Sequence, residues 1–351
     1  MLAALALIGL AHSLALGVSP RPVSYVIPPE IPASVSRAVP AALAPGRPVT
    51  CARPGAVLVT GATGRVGRLV VDELLRAGVP VRALTRRPEQ AALPAGAEVV
   101  VGDLTAPASL DAPLEGVGAV FLVWTAALAT APAVIARLET HMSAQPGRVV
   151  YLSSPHQTPH PFFQQPNPLR GLHAEVERLL ATATLDVVVL RPGMFASNAL
   201  HWWAPQIRNG NVVRWPYGAA ETAPVDERDI AAVATDALLD GRHLGGDYVL
   251  TGPESLNQAA QVRAIGDAIG RALRFDELSP DEFRRETAGT WPGSVAEMLL
   301  TAWRAALGRP AFVTSSVQEI IGAPPRTFSQ WAADHAAAFG DRGLASDAPA
   351  G

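Results

Sequence analysis

Ala56-Val-Leu-Val-Thr-Gly61-Ala-Thr-Gly64-Arg-Val-Gly67 is the stretch that decides the fold. A short apolar run, typical of a buried strand, leads through a glycine turn into residues with helical spacing. Gly61 permits a tight turn, Gly64 lets backbone approach a pyrophosphate, and Gly67 lets the helix pack closely on the sheet. Phosphates would bind to free N–H groups at the helix N-terminus. The predicted pyrophosphate site consists of Gly61, Thr63, Gly64, Arg65, Val66 and Gly67.

Apolar runs alternate with amphipathic segments as far as residue 190. Strands are predicted at 56–60, 79–85, 97–101, 118–123, 148–152 and 186–190, and helices at 65–77, 132–143 and 172–183. Nearly continuous Val, Ile and Leu strands are typical of a parallel sheet covered on both faces. We therefore predict an α/β fold, with a Rossmann-type doubly wound parallel sheet over residues 56–200.

The alternation stops beyond Arg191, where tryptophans and prolines mark an irregular region. Further helices are predicted at 229–239, 256–269, 295–307 and 327–339. They predict a smaller, mostly helical C-terminal lobe over 201–340 that covers the carboxyl ends of the strands, although returning segments could complete the sheet. Asp226 or Asp229 is expected to cap a helix. Small polar residues predict a frayed tail at 341–351.

Residues 1–55 have a different composition. An apolar run to Val18 precedes a segment with nine prolines between residues 20 and 54, which predicts a disordered or dispensable leader. Export signals normally begin with basic residues, and none precedes this run. A dispensable extension, an inefficient export signal and a membrane-associated anchor are the alternatives. The main expectation is a cytoplasmic protein without stable membrane insertion.

The composition excludes several function classes. Hydrophobic residues make up 49% and charged residues 17% of 351 residues, which allows a large core. A net charge of −3 argues against nucleic-acid binding. All 28 basic residues are arginine, so no mechanism can use a lysine amine. The single Cys51 excludes an internal disulfide, and His156 and His160 lie among prolines without a carboxylate partner, so no metal site is predicted.

The choice of cofactor depends on the end of the second predicted strand. An NAD site would place an acidic residue there, whereas this chain has Arg86 and Arg87. Arg86 can form a forked pair with a 2′-phosphate, with Arg65 on the other side, so NADP(H) is favoured over NAD(H). Solvated loop charges are the alternative. Asp103 and Leu104, after the third strand, are expected beside the adenine, with Asp103 bonding its amino group.

Ordered motifs along the chain resemble a known family. They are Val-Thr-Gly-Ala-Thr-Gly-Arg-Val-Gly (59–67), Gly-Asp-Leu (102–104), Tyr-Leu-Ser-Ser (151–154), His-Ala-Glu-Val-Glu (173–177) and Leu-Arg-Pro-Gly-Met-Phe-Ala-Ser-Asn (190–198). This order resembles the NmrA-like branch of the atypical short-chain dehydrogenases/reductases over about residues 56–335. The resemblance implies an NADPH-dependent quinone, dye or azo reductase, or a regulator that binds the dinucleotide without turnover. It also implies cofactor contacts by Arg191, Pro192 and Gly193.

The chain departs from the dehydrogenase pattern at the catalytic dyad. Tyr-x-x-x-Lys is impossible without lysine, and His173 stands on the corresponding helix, four residues before Glu177 and on the same face. His173 is expected to donate a proton or bond the nicotinamide ribose; a surface histidine without catalytic duty is the alternative. Ser153 and Ser154 are the other candidates, although serines at a strand end are also common turn formers.

A flat acceptor pocket is predicted from residues that follow the sixth strand. Phe195 and Asn198 are expected to shape the nicotinamide end, and Trp202 and Trp203 to form an apolar wall suited to a quinone or aromatic dye. The main hypothesis is an NAD(P)H-dependent oxidoreductase that reduces a small-molecule electron acceptor chiefly by positioning it. A non-catalytic redox sensor and a sugar-nucleotide epimerase-like protein are the alternatives. Nothing in the sequence indicates the oligomeric state.

Overall fold

The computed structural model describes residues 55–142 and 147–340. The predicted tail and residues 1–54 of the predicted leader, Cys51 among them, lie outside these ranges. Within them, none of the helices has both the length and the apolar character needed to cross a membrane.

Strands and helices alternate over the first half of the described chain. In chain order the strands are β1 (Ala56–Val59), β2 (Val81–Thr85), β3 (Glu98–Val101), β4 (Val117–Val123), β5 (Arg148–Leu152), β6 (Asp186–Pro192), β7 (Val212–Pro216), β8 (Glu221–Thr222), β9 (Asp247–Leu250), β10 (Leu256–Asn257) and β11 (Arg274–Leu278). The α-helices are α1 (Arg65–Arg76), α2 (Asp111–Leu114), α3 (Ala131–Met142), α4 (Pro161–Gln164), α5 (Pro168–Thr182), α6 (Asn198–Trp202), α7 (Ala204–Asn209), α8 (Glu227–Leu239), α9 (Gln258–Ala268), α10 (Pro280–Thr287), α11 (Gly293–Ala306), α12 (Ser316–Ile321), α13 (Phe328–Asp334) and α14 (Ala336–Phe339).

Seven parallel strands form the central sheet, in the order β3-β2-β1-β4-β5-β6-β9. Val59, at the end of β1, lies between Ala83 of β2 and Phe121 of β4. The chain runs outward from β1 to β3 and then returns to β4 on the other side of β1. This reversal opens a crevice at the carboxyl ends of β1 and β4, which is where doubly wound sheets bind their ligands. The predicted Rossmann-type fold is confirmed.

Helices cover both faces of the sheet. One core contains the buried sides of α1, α8 and α12, and a second core on the opposite face contains those of α3 and α5. In α1, Val66, Val70 and Leu74 are buried at intervals of four residues, which directs one stripe of the helix at the sheet. The sheet is therefore buried on both sides and supports the site as a rigid layer.

The sequence allowed a returning segment to complete the sheet but did not indicate its position, and the structure shows that this segment is β9. It comes 54 residues after the end of β6 yet pairs with it in parallel, with Asp247 opposite Val189 and Leu250 opposite Pro192. Before it, α8 also returns to the sheet layer. The Asp226 carboxylate accepts a hydrogen bond from the Arg228 backbone at 2.8 Å, so the predicted helix cap is confirmed at Asp226.

The C-terminal lobe has its own aromatic core. It contains two short strand pairs, β7 with β11 and β8 with β10, and the helices packed around them. Trp202 and Trp215 stack with ring centroids 5.8 Å apart, and Trp303 meets Trp202 edge-on at 5.5 Å. Trp202 is 5% exposed and Trp203 fully buried in this core. The prediction that these two residues wall the acceptor pocket is wrong, because the lobe needs their apolar area for its own packing.

Candidate active site

The glycine loop lies at the crevice between β1 and β4. Gly61 has a φ of +61°, a left-handed conformation that favours glycine. A Cβ on Gly67 would lie 2.2 Å from the Gly61 carbonyl oxygen, so only glycine lets α1 approach the loop this closely. The Thr60 hydroxyl accepts a hydrogen bond from the Val123 backbone at 2.7 Å and thereby joins the ends of β1 and β4.

A long cleft extends from this loop across the ends of β2 and β3. The first turn of α1 carries no acidic side chain, and the unpaired N–H groups of a helix N-terminus attract phosphate. Arg86 and Arg87 are exposed at the far end of β2, opposite Asp103. The cleft thus offers backbone donors and two cations to phosphates, and its residues fit a dinucleotide. Its wall includes the predicted residues Gly61, Thr63, Gly64, Arg65, Val66, Gly67, Arg86, Asp103 and Leu104.

Two contacts in the cleft were not predicted. The Asp103 carboxylate accepts a hydrogen bond from the Thr105 backbone at 2.8 Å, which holds it at the rim of the cleft. Arg65 reaches across the cleft, with Nη2 3.0 Å from Nε2 of His201 in the lobe. The pKa of His201 is lowered by burial and by the charge of Arg65. A long-range contact between loop and lobe leaves no local sequence pattern, so His201 was missed.

A second cavity adjoins the cleft under the lobe. The two share Val123, Leu152 and Phe195 as a common wall, so a ligand in the cleft and one in the cavity would meet there. Phe162 and Phe163 line the cavity with ring centroids 5.0 Å apart. Predicted residues that line it are Ser153, Ser154, His173, Pro192, Gly193, Phe195 and Asn198.

His173 projects from α5 toward this cavity and is 3% exposed. Its Nδ1 lies 2.7 Å from the Tyr151 hydroxyl on β5. Burial lowers the pKa of His173 to about 4, so the ring is neutral at pH 7. The surface-histidine alternative is wrong, because α5 turns this face toward the sheet. Glu177 shares that face, as the spacing predicts, but makes no hydrogen bond to His173.

Glu177 instead belongs to a buried charge network. Its carboxylate accepts two hydrogen bonds from Arg191, at 2.7 and 2.9 Å, and one from the Ser153 hydroxyl. Arg191 also donates to Asp247 of β9, at 2.6 and 2.9 Å. Arg191 is 3% exposed and lines neither the cleft nor the cavity. The implied cofactor contact by Arg191 is therefore corrected: its guanidinium joins β6 to α5 and β9.

Pro192 and Gly193 line the cavity and not the cleft. His156 also lines the cavity, with its Nδ1 3.1 Å from the Ser154 carbonyl and 3.3 Å from the Ser154 hydroxyl. Burial lowers the pKa of His156. Among the described residues no group of three or more His, Cys, Asp and Glu could hold a metal ion.

Comparisons with known proteins agree with this geometry. A family model described as NAD(P)H-binding matches residues 61–241. The chain is 39% identical over 297 residues to the (4-alkanoyl-5-oxo-2,5-dihydrofuran-3-yl)methyl phosphate reductase of Streptomyces griseus, covering 81% of this chain and 99% of that protein. It is 31% identical over 303 residues to the NAD(P)H azoreductase of Xenophilus azovorans, covering 81% and 99%.

Solved structures give the same result. The NADPH-dependent quinone oxidoreductase of Escherichia coli superposes with a TM-score of 0.66 at 25% identity, covering 79% of this chain and 98% of that one. Cleft, cavity and relatives together define an NAD(P)H-dependent oxidoreductase. The chain belongs to the NAD(P)H-binding family, in the NmrA-like branch of the atypical short-chain dehydrogenases/reductases, as its ordered motifs predict.

Proposed function

We propose that the protein reduces a small conjugated acceptor, such as a quinone or an aromatic dye, with NADPH as the preferred hydride donor. The observation that carries the proposal is the wall shared by cleft and cavity, formed by Val123, Leu152 and Phe195. A hydride donor bound in the cleft and an acceptor bound in the cavity would meet at these shared residues. Such positioning lowers the barrier to hydride transfer substantially.

The apolar lining of the cavity supports a conjugated acceptor. Phe162, Phe163 and Phe195 offer flat surfaces, and most of the exposed lining of the cavity is apolar. The names of the relatives specify an azo compound, a quinone and an acyl dihydrofuranone, all of which are electron-poor π systems. This shared chemistry favours an acceptor in which hydride addition leaves negative charge on oxygen or nitrogen.

Preference for NADPH rests on the end of β2. Arg86 and Arg87 line the cleft there, both exposed, and residues 84–87 include no carboxylate to bond a ribose 2′-hydroxyl. When bound, NADPH would supply the hydride. Arg86 would bind its 2′-phosphate, and the first turn of α1 would bind its pyrophosphate.

His173 is the candidate donor to the atom that becomes negative. Reduction by two electrons adds one hydride and one proton to the acceptor. A neutral imidazole stabilises the developing anion by a hydrogen bond, and solvent can then supply the proton. Ser154 remains the second candidate, whereas the Ser153 hydroxyl is directed at Glu177.

The test is acceptor-dependent loss of absorbance at 340 nm. The acceptor panel is 1,4-benzoquinone, an azo dye and an acyl dihydrofuranone. We expect turnover with at least one acceptor, and a reduction of about 10²- to 10³-fold in kcat for His173→Gln, the usual effect of losing one oxyanion donor. His141→Gln is the control, because His141 of α3 pairs with Asp111 of α2 and neither residue lines the cleft or the cavity. Tight NADPH binding without turnover of any acceptor would instead favour the redox-sensor hypothesis.

A further inference from the structure

Tyr151 is buried without a role in the chemistry described so far. It is fully buried between β5 and α5, and its hydroxyl lies 2.7 Å from Nδ1 of His173. Among the described residues this is the only hydrogen-bond partner of that hydroxyl. This one hydrogen bond therefore determines which ring nitrogen of His173 carries its hydrogen.

A buried hydroxyl hydrogen without an acceptor costs about 1–3 kcal/mol. If Nδ1 of His173 carried the proton, the Tyr151 hydrogen would have no acceptor. The pKa of Tyr151 is raised by burial and by the charge of Glu177, so the hydroxyl keeps its proton. Tyr151 therefore donates, and Nδ1 of His173 accepts.

The other ring nitrogen faces the cavity. A neutral imidazole that accepts at Nδ1 carries its hydrogen on Nε2. Nε2 of His173 makes no hydrogen bond to the described residues and is not among their fully buried unpaired polar atoms. Since His173 lines the cavity, Nε2–H is accessible from it.

Neighbouring hydroxyls are already engaged. The Ser153 hydroxyl donates to Glu177, and the Ser154 hydroxyl lies 3.3 Å from Nδ1 of His156. The Nε2–H of His173, by contrast, has no partner among the described residues and remains available to a ligand.

We propose that Tyr151 is a positioning residue that holds His173 in the Nε2–H tautomer, so that Nε2–H donates a hydrogen bond to the acceptor atom that becomes negative on hydride addition. This inference rests on the proposed function for its catalytic consequence. The tautomer itself is independent of which acceptor is used.

The experiment has two parts. The first is ¹⁵N-histidine NMR of the full chain in the presence of NADP⁺, and the second is steady-state kinetics. In the wild type, His173, assigned by loss of its signals in His173→Gln, should show an unprotonated Nδ1 and a protonated Nε2 at pH 7. In Tyr151→Phe that preference should weaken. The kcat of Tyr151→Phe should fall about 10- to 100-fold, because the oxyanion donor is displaced, while the KM for NADPH stays constant.

The chain provides a matched control. The Tyr248 hydroxyl lies 3.1 Å from Nδ1 of His243, and neither residue lines the cleft or the cavity. Tyr248→Phe removes the same atom from a similar pair. It should leave both kcat and the His173 signals unchanged.

The outcomes separate the inference from the proposed function. A wild-type His173 protonated on Nδ1 overturns the inference, and this measurement decides the matter if Tyr151→Phe fails to fold. The expected tautomer with unchanged kcat in a folded Tyr151→Phe also overturns the positioning role. In a third outcome, the wild type shows the expected tautomer, with a weaker preference for it in Tyr151→Phe, and yet reduces none of the acceptors. That result supports the tautomer assignment and contradicts only the proposed function.

Discussion

At the residue scale, we propose that discrimination between NADPH and NADH depends on Arg86, an exposed side chain at the end of β2. Arg86→Ala should raise the Kd for NADPH about 10- to 150-fold, the usual effect of losing a charge-assisted hydrogen bond, and leave the Kd for NADH nearly constant. Calorimetric titration of both cofactors measures the difference. Arg87→Ala is the matched control, since it lines the same cleft. Loss of NADPH affinity in the control alone would show that Arg87 binds the phosphate.

Burial of His173 should make stability depend on pH. Because its folded pKa, about 4, lies below the ordinary value of 6.5, the unfolded chain binds the proton more readily. The contribution of the neutral ring to the free energy of unfolding is therefore fully present above pH 6.5. As the pH falls toward 4, a contribution on the order of 3 kcal/mol is lost. Urea unfolding at several pH values should show a steeper loss for the wild type than for His173→Gln. Parallel curves would contradict the burial of a neutral ring.

Predictability at this scale follows the range of the interaction. The roles of Gly61 and Gly67 could be predicted because they depend on backbone geometry within seven residues. The partner of His173 could not, since Tyr151 lies on a neighbouring strand and only the packing of α5 on β5 joins them. Arg191 was misassigned for the same reason: its two carboxylates come from distant elements.

At the scale of elements, two helical glycines should respond oppositely to alanine. Gly67→Ala places a Cβ 2.2 Å from a backbone oxygen and should destabilise the protein by about 3 kcal/mol, the upper range for overpacking. Gly171 in α5 is exposed and has free space around it, so Gly171→Ala should stabilise by about 0.5–1 kcal/mol through helix propensity. Urea unfolding compares both. Equal effects would contradict the close approach of α1 to the loop.

The connection of β6 to α5 and β9 should depend on Arg191. Arg191→Met leaves the carboxylate of Glu177, whose side chain is 10% exposed, without its charged partner and should cost about 3–5 kcal/mol. Arg178→Met is the matched control, because Arg178 pairs with Glu175 on the exposed face of the same helix. The control should leave the free energy of unfolding almost unchanged. A small loss in both variants would contradict a structural role for the network.

Six strands of the sheet were predicted because each is an apolar run within a regular alternation. The seventh, Asp247–Leu250, is as short as the edge strand β3, which was predicted, but it stands outside that alternation. It follows a long excursion through the lobe, so no local rhythm marks it. Its pairing is specified by tertiary contacts, including the bond from Arg191 to Asp247.

At the scale of the whole molecule, the fold as described begins at Gly55. We expect a chain that starts at Val49 to fold and to bind NADPH like the full chain, because the described strands of the sheet and the described walls of the cleft and the cavity all come from residues after Gly55. Thermal unfolding and calorimetric titration of the two chains measure this. Aggregation or weaker binding of the shorter chain would show that the leader packs on the fold.

The lobe core is assembled from three separate stretches of chain, 194–222, 256–306 and 328–339, while the segments between them return to the sheet layer. A single crossover within residues 194–339 of two related genes would therefore join part of one lobe core to part of another. Such hybrids would lose packing before they gained a new acceptor. Diversification of acceptor choice within this architecture should proceed by successive point substitutions along the cavity wall, at positions such as Met298 and Leu299, with the cofactor cleft inherited unchanged.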